Sequence, residues 1–276
     1  MKPAAGTAPP AAALALVPGL ESGSSPLRLE RLAGGTVNDS WRVDTARGRF
    51  VLRVDAAAAL RPGVDRGRER CLHEVVASAG LAPRVLLWAG AAGVQVREFL
   101  EGRIWSEAEM AQPEPLARLG GRLAQLHSLE PPAAVAPFDP GACAQQYLRC
   151  MDAAAALGAA AVAAEVGAAA LQVAGHAVAP TIVHGDLTHT NLLEGAGLWL
   201  LDWEYAQCAD PVYDLACVLA YNPAARPQAA RLMAAAGICG LGAAARLGAA
   251  TRVYAGLTWL WHQARATGAG ASRSAN

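Results

Sequence analysis

Three polar side chains stand out because apolar runs isolate them. Asp186 and Asn191 lie five residues apart in Ile182-Val183-His184-Gly185-Asp186-Leu187-Thr188-His189-Thr190-Asn191-Leu192-Leu193, and Asp202 closes the strand-like run Leu198-Trp199-Leu200-Leu201. An Asp and an Asn on one loop, with a second Asp at the end of the next strand, can converge on one point. Phosphoryl transfer requires such a convergence. One carboxylate orients the attacking hydroxyl and accepts its proton, while oxygen ligands hold Mg²⁺ over a triphosphate. The competing reading is a buried loop that uses these residues as caps and turn formers. It is credible for the His-Gly-Asp triplet alone but not for the full spacing.

Elements of two kinds must position this loop. Residues 1–26 read as a flexible, Pro/Ala-rich leader with a short helix ending near Gly19. Leu27 to Leu32 then alternates apolar and charged residues, Gly34-Gly35 interrupts it, and the runs Ser40 to Asp44 and Arg49 to Asp55 continue an antiparallel meander. A helix is expected from about Asp65 to Ala79, ended by Gly80 and Pro83, with short strands at Val85 to Trp88 and Val94 to Phe99. Beyond Gly102 long helical stretches take over, including Glu114 to Leu129 and Asp152 to Ala174. The expected class is α+β, with a β-rich region at 27–101, a helical region at 102–276 and a junction at Phe99 to Gly102.

Composition excludes several functions. The hydrophobic content of 54% suffices for a core, but alanine inflates it, notably from Ala153 to Ala174. That stretch is interrupted by polar residues and reads as a soluble helix and not as a membrane span of about 20 strongly apolar residues. No signal-peptide cleavage site follows the short apolar stretch at Ala11 to Val17, so a cytoplasmic protein is expected. The six cysteines form no C-x-x-C pair and neighbour no cluster of histidines, which argues against zinc or redox chemistry. With 23 basic and 23 acidic residues, the chain offers no electrostatic case for nucleic acid or a membrane surface. A small-molecule partner fits better, and the protein is expected to be a monomer or homodimer.

The catalytic segment resembles that of the kinase-like small-molecule phosphotransferases, the choline kinase, thiamine kinase and aminoglycoside phosphotransferase family, whose loop reads His-x-Asp-x-x-x-x-Asn and whose metal Asp opens a D-x-x motif. The resemblance implies a two-lobed protein-kinase-like fold using ATP and Mg²⁺, with Asp186 as base, Asn191 and Asp202 as metal ligands, and His184 bracing the loop. Gly34-Gly35-Thr36-Val37-Asn38 resembles the family's glycine-rich phosphate loop, with Gly34, Gly35, Thr36 and Asn38 at the nucleotide. A Gly-Gly pair between strands also makes an ordinary hairpin turn. Arg53 takes the place of the phosphate-binding Lys of protein kinases, Glu69 is its expected partner and Glu74 the runner-up. Glu98, Phe99 and Leu100 resemble the hinge that binds adenine. The helix around Leu119, Leu123, Leu126 and His127 is assigned to packing.

Only eleven residues separate Asp202 from Asp214 and no Ala-Pro-Glu segment follows, which excludes a protein kinase. The run Trp203-Glu204-Tyr205 and the segment to Ala216 resemble bacterial choline and thiamine kinases, with Asp214 as the structural Asp that caps the loop. The resemblance implies an acceptor with a hydroxyl and a cationic nitrogen, recognised by Glu204, Tyr205, Trp259 and Trp261; the two Trp serve equally well as core. After Asp214 there is no Asp or Glu, a poor match to the polyamine of an aminoglycoside phosphotransferase, which stays the alternative beside a non-catalytic nucleotide- or metabolite-binding relative.

Overall fold

The computed structural model describes residues 8–21, 23–32, 38–55, 63–176 and 178–271, with side chains described to residue 266. Strands β1 (Arg28–Arg31), β2 (Asn38–Thr45), β3 (Gly48–Asp55), β4 (Val85–Ala89) and β5 (Val94–Glu98) form an antiparallel sheet in the order β1-β2-β3-β5-β4. Side chains alternate across a strand, so Trp41, Val43, Phe50, Leu52, Val94 and Val96 fall together on one buried face. Helix α1 (Ala11–Leu14) and the turn after it cover that face with Ala13, Val17 and Leu20, and Thr45 Oγ1 donates to the Pro18 carbonyl at 2.9 Å. The short helix expected in the leader is present, and the expectation that the leader is flexible is corrected for residues 11–20. From Ala11 to Leu20 the chain is a packed layer, because a sheet with a bare apolar face has nothing else to bury it.

The other face of the sheet carries Val51, Arg53 and Gln95, all buried, and meets helix α2 (Arg66–Ser78). Asp65 caps α2 by accepting from the Gly67 and Arg68 N–H groups. The residues after β5 lead directly to β6 (Arg103–Ile104), the first element of the C-terminal lobe.

That lobe is mainly helical: α3 (Pro113–His127), α4 (Pro140–Arg149), α5 (Ala153–Ala174), α6 (Val212–Tyr221), α7 (Ala229–Ala235) and α8 (Ala243–Ala271). On α3 the fully buried Leu116, Leu119, Leu123 and Leu126 recur at helical spacing and form one face. Strand β7 (Thr181–Val183) leads into the loop of Asp186, after which β8 (Leu192–Glu194) and β9 (Leu198–Leu200) return to Asp202 and β10 (Gln207–Ala209) pairs back on β7. The order β6-β8-β9 ties the start of this lobe to its catalytic hairpin. Among the described residues one helix, α5, is long and apolar enough to cross a membrane by length and composition; here it packs along α8 and α4.

Candidate active site

The loop between β7 and β8 is braced from below by a buried carboxylate. Asp214, at the first turn of α6 and fully buried, accepts hydrogen bonds from the His184 N–H at 2.9 Å and the Gly185 N–H at 3.0 Å. Its Oδ2 also meets His127 Nε2 at 2.9 Å. His184 is wholly buried, with Nε2 on the Leu201 carbonyl at 2.8 Å and Nδ1 accepting from the Asp186 N–H. Burial holds its pKa below the ordinary value and thus keeps the ring neutral, as an Nδ1 acceptor requires. Gly185 adopts φ +75°, and a Cβ there would lie 2.6 Å from the Tyr205 carbonyl, so only glycine lets the loop lie against the Tyr205 backbone.

This scaffold presents Asp186 to a cavity of about 310 Å³ that Asn191, Asp202, Glu204 and Tyr205 also line. Asn191 Nδ2 donates to the Asp186 carboxylate at 2.9 Å and to its carbonyl at 2.7 Å. Burial and the nearby charge of Asp202 push the Asp186 pKa up to about 7, against the pull of the Asn191 hydrogen bond. Asp202 has φ +61°, the one non-glycine residue with positive φ among those described, a conformation that costs on the order of 1–3 kcal/mol. Neither its carboxylate nor Asn191 Oδ1 accepts a hydrogen bond from any described residue. Two open oxygen ligands on a shared cavity fit a hard cation such as Mg²⁺, which takes one or two protein oxygens and completes its shell with phosphates and water. No group of three or more His, Cys, Asp or Glu suited to a self-contained metal site occurs among the described residues.

On the sheet side, Arg53 meets Glu69 in two parallel bonds of 2.6 and 3.2 Å, and both are buried. The runner-up Glu74 instead pairs with Arg70 on the exposed side of α2. Arg66, the first residue of α2, reaches Glu69, Asp55, Asn38 and Glu204. Asn38 donates to Glu204 Oε2 at 2.8 Å. Gly34, Gly35 and Thr36 lie outside the described residues. At the expected hinge, the Glu98 N–H goes to the Arg84 carbonyl and the Phe99 N–H to the Arg49 carbonyl. The Leu100 N–H has no partner among the described residues. The hinge expectation therefore narrows: the donors of Glu98 and Phe99 are held by the sheet, and Leu100 has the free one.

The aromatic wall departs from expectation. Trp261 lines the cavity and donates from Nε1 to the Tyr205 hydroxyl at 3.0 Å. Trp259 is 41% exposed and does not line it, because two residues along an α-helix turn about 200°. Reading Trp259 as an acceptor contact is corrected accordingly. The rest of the wall, unread in the sequence, comes from Phe138 before α4, Tyr147 on α4, Tyr213 and Tyr221 on α6, and Tyr254 on α8. The spacing Tyr254, Leu257, Thr258, Trp261 is one helical face and was the available signal.

A family model described as "Phosphotransferase enzyme family" matches residues 28–251. A search of curated proteins returned no match. Among solved structures, a choline/ethanolamine kinase family protein from Mesorhizobium loti is similar at 26% identity and TM-score 0.73, over 94% of this chain and 90% of that one. A choline kinase from Streptococcus pneumoniae has 17% identity and TM-score 0.74, over 92% and 94%. An ADP-bound aminoglycoside phosphotransferase has 17% identity and TM-score 0.61, over 84% and 83%.

Proposed function

The chain belongs to the phosphotransferase enzyme family, and from that premise we propose that it transfers the γ-phosphate of ATP to the hydroxyl of a small cationic metabolite, choline-like or thiamine-like. One observation carries the reading: a single cavity joins Asp186, Asn191 and Asp202 to a wall of tyrosines and Trp261. The acceptor hydroxyl lies against Asp186, which orients it and takes its proton; a carboxylate with a pKa of about 7 suits a base at neutral pH. Arg53, held by Glu69, and the loop of Gly34, Gly35, Thr36 and Asn38 receive the triphosphate, and the open Leu100 N–H beside Glu98 and Phe99 receives the adenine. Asn191 and Asp202 would hold Mg²⁺, which supplies charge neutralisation on the phosphates. His184 and Asp214 keep the loop rigid.

The cationic nitrogen is recognised by the faces of Tyr205 and Trp261 and by Glu204, whose Oε1 has no hydrogen-bond partner among the described residues. Asp186, Asp202 and Glu204 are the acidic residues of the cavity, which favours one cationic centre over the several amines of an aminoglycoside. The reading includes a cytoplasmic protein, monomeric or homodimeric, with no nucleic-acid or membrane partner. It is tested by Mg-ATP consumption with choline, ethanolamine, thiamine and aminoglycosides. Turnover fastest with choline or thiamine is the expected result. A neutral alcohol as best acceptor overturns the acceptor class, and nucleotide binding without turnover on any acceptor supports a non-catalytic relative.

A further inference from the structure

Among the described residues, Arg66 joins four polar partners from both lobes. Its Nε donates to Asp55 Oδ2 at 3.1 Å, its Nη2 to Asp55 Oδ1 at 2.8 Å and Asn38 Oδ1 at 3.0 Å, and its Nη1 to Glu69 Oε2 at 2.5 Å and Glu204 Oε2 at 3.2 Å. Those five bonds occupy all five donors of a guanidinium. Three partners belong to the N-terminal lobe. Asn38 and Asp55 face each other across β2 and β3, at the base of the glycine-rich segment, and Glu69 also holds Arg53. The fourth, Glu204, belongs to the C-terminal lobe, two residues beyond Asp202.

We propose that Arg66 is a positioning residue that locks the Asp202 segment to the nucleotide-binding layer; this rests on the phosphotransferase reading above. A left-handed aspartate persists only where its surroundings over-determine it, and here both flanks are fixed. On one side the Leu201 N–H donates to the Asn191 carbonyl at 2.8 Å. On the other, Glu204 Oε2 is gripped by Arg66 and Asn38 together, and Glu204 is only 3% exposed. Arg53, Glu69, Arg66 and Glu204 thereby form a chain of alternating charge that runs from the phosphate-binding cation to the metal-ligand segment. The chain makes the placement of Asp202 depend on α2 and on the base of the glycine-rich segment. A Lys at position 66 keeps the charge, but its three donors cannot serve four partners in one plane.

The experiment is calorimetric titration of ADP, with and without Mg²⁺, into the wild type, Arg66→Lys, Glu204→Gln and the double variant, with melting temperatures recorded. Each single change should weaken ADP binding in Mg²⁺ by about tenfold and metal-free ADP binding little, and the double variant should be no worse than the poorer single one. The Glu204→Gln change keeps the side-chain volume and an acceptor oxygen, so it carries the test if Arg66→Lys does not fold. Three results would overturn the proposal: unchanged ADP affinity in Mg²⁺ for the folded variants, equal losses with and without Mg²⁺, or additive losses in the double variant. A role confined to acceptor recognition would appear as a raised acceptor KM for Glu204→Gln with ADP binding intact, and would also overturn it. Failure of the wild type to bind ADP in a Mg²⁺-dependent way sinks the phosphotransferase reading itself.

Discussion

Asp186 serves two opposed requirements. Chemistry needs it charged, and its burial beside Asp202 resists the charge. Its folded pKa of about 7 exceeds the ordinary value of 3.8, so between those values the folded chain keeps a proton that the unfolded chain has lost. Stability therefore falls as pH rises through that window and is lowest, for this group, above pH 7. Asp186→Asn should abolish phosphoryl transfer and, without Mg²⁺, raise Tm at pH 8 by about a few degrees, a gain that vanishes near pH 3. Asp202→Ala should instead lose Mg²⁺-dependent nucleotide binding. Turnover by Asp186→Asn at near the wild-type rate would remove the base assignment. At this scale the sequence was legible where the family resemblance supplied a residue's partner, as with Glu69 facing Arg53. His127 was not, because a histidine on a leucine-rich helix face reads as packing and its partner Asp214 lies 87 residues away. Arg66 was missed for the same reason: its most distant partner is 138 residues on.

Helix α8 separates two tryptophans that the sequence sets side by side. Trp261 faces the cavity and Trp259 faces outward, so Trp261→Ala should raise the acceptor KM by about tenfold or more, the loss of a desolvated cation–π contact of roughly 2 kcal/mol. Trp259→Ala should leave it within about twofold, as expected of a surface change within ±0.5 kcal/mol. Steady-state kinetics with the preferred acceptor checks both; equal effects would remove the aromatic-wall reading. Strands with clear alternation, such as Ser40 to Asp44 and Arg49 to Asp55, were legible to within two residues of β2 and β3. Helix α4 was not, although Asp139 as cap and Pro140 in the first turn were start signals. Among the short strands, two or three residues each, β9 was legible as the strand-like run before Asp202, whereas β6, β7, β8 and β10 lie below what alternation can reveal.

Across the whole molecule, the division into a sheet-rich and a helical lobe followed from the change of period after Gly102, and β5 and β6 fall on either side of that point. What the sequence did not disclose is the layer on the far face of the sheet, where Ala13, Val17 and Leu20 pack against Trp41, Val43 and Leu52. A chain shortened to begin at Leu27 should lose several degrees of Tm and bind an apolar dye in its folded state; unchanged melting and no dye binding would show that the layer is dispensable. The family match begins at residue 28, after this layer. The unit defined by shared chemistry is thus smaller than the unit that folds. The covering segment answers to a looser demand than the catalytic loop: any short stretch that is apolar at the right three points and turns back at Pro18 would serve. Among relatives it should drift freely in sequence while keeping its greasy underside toward the sheet beneath.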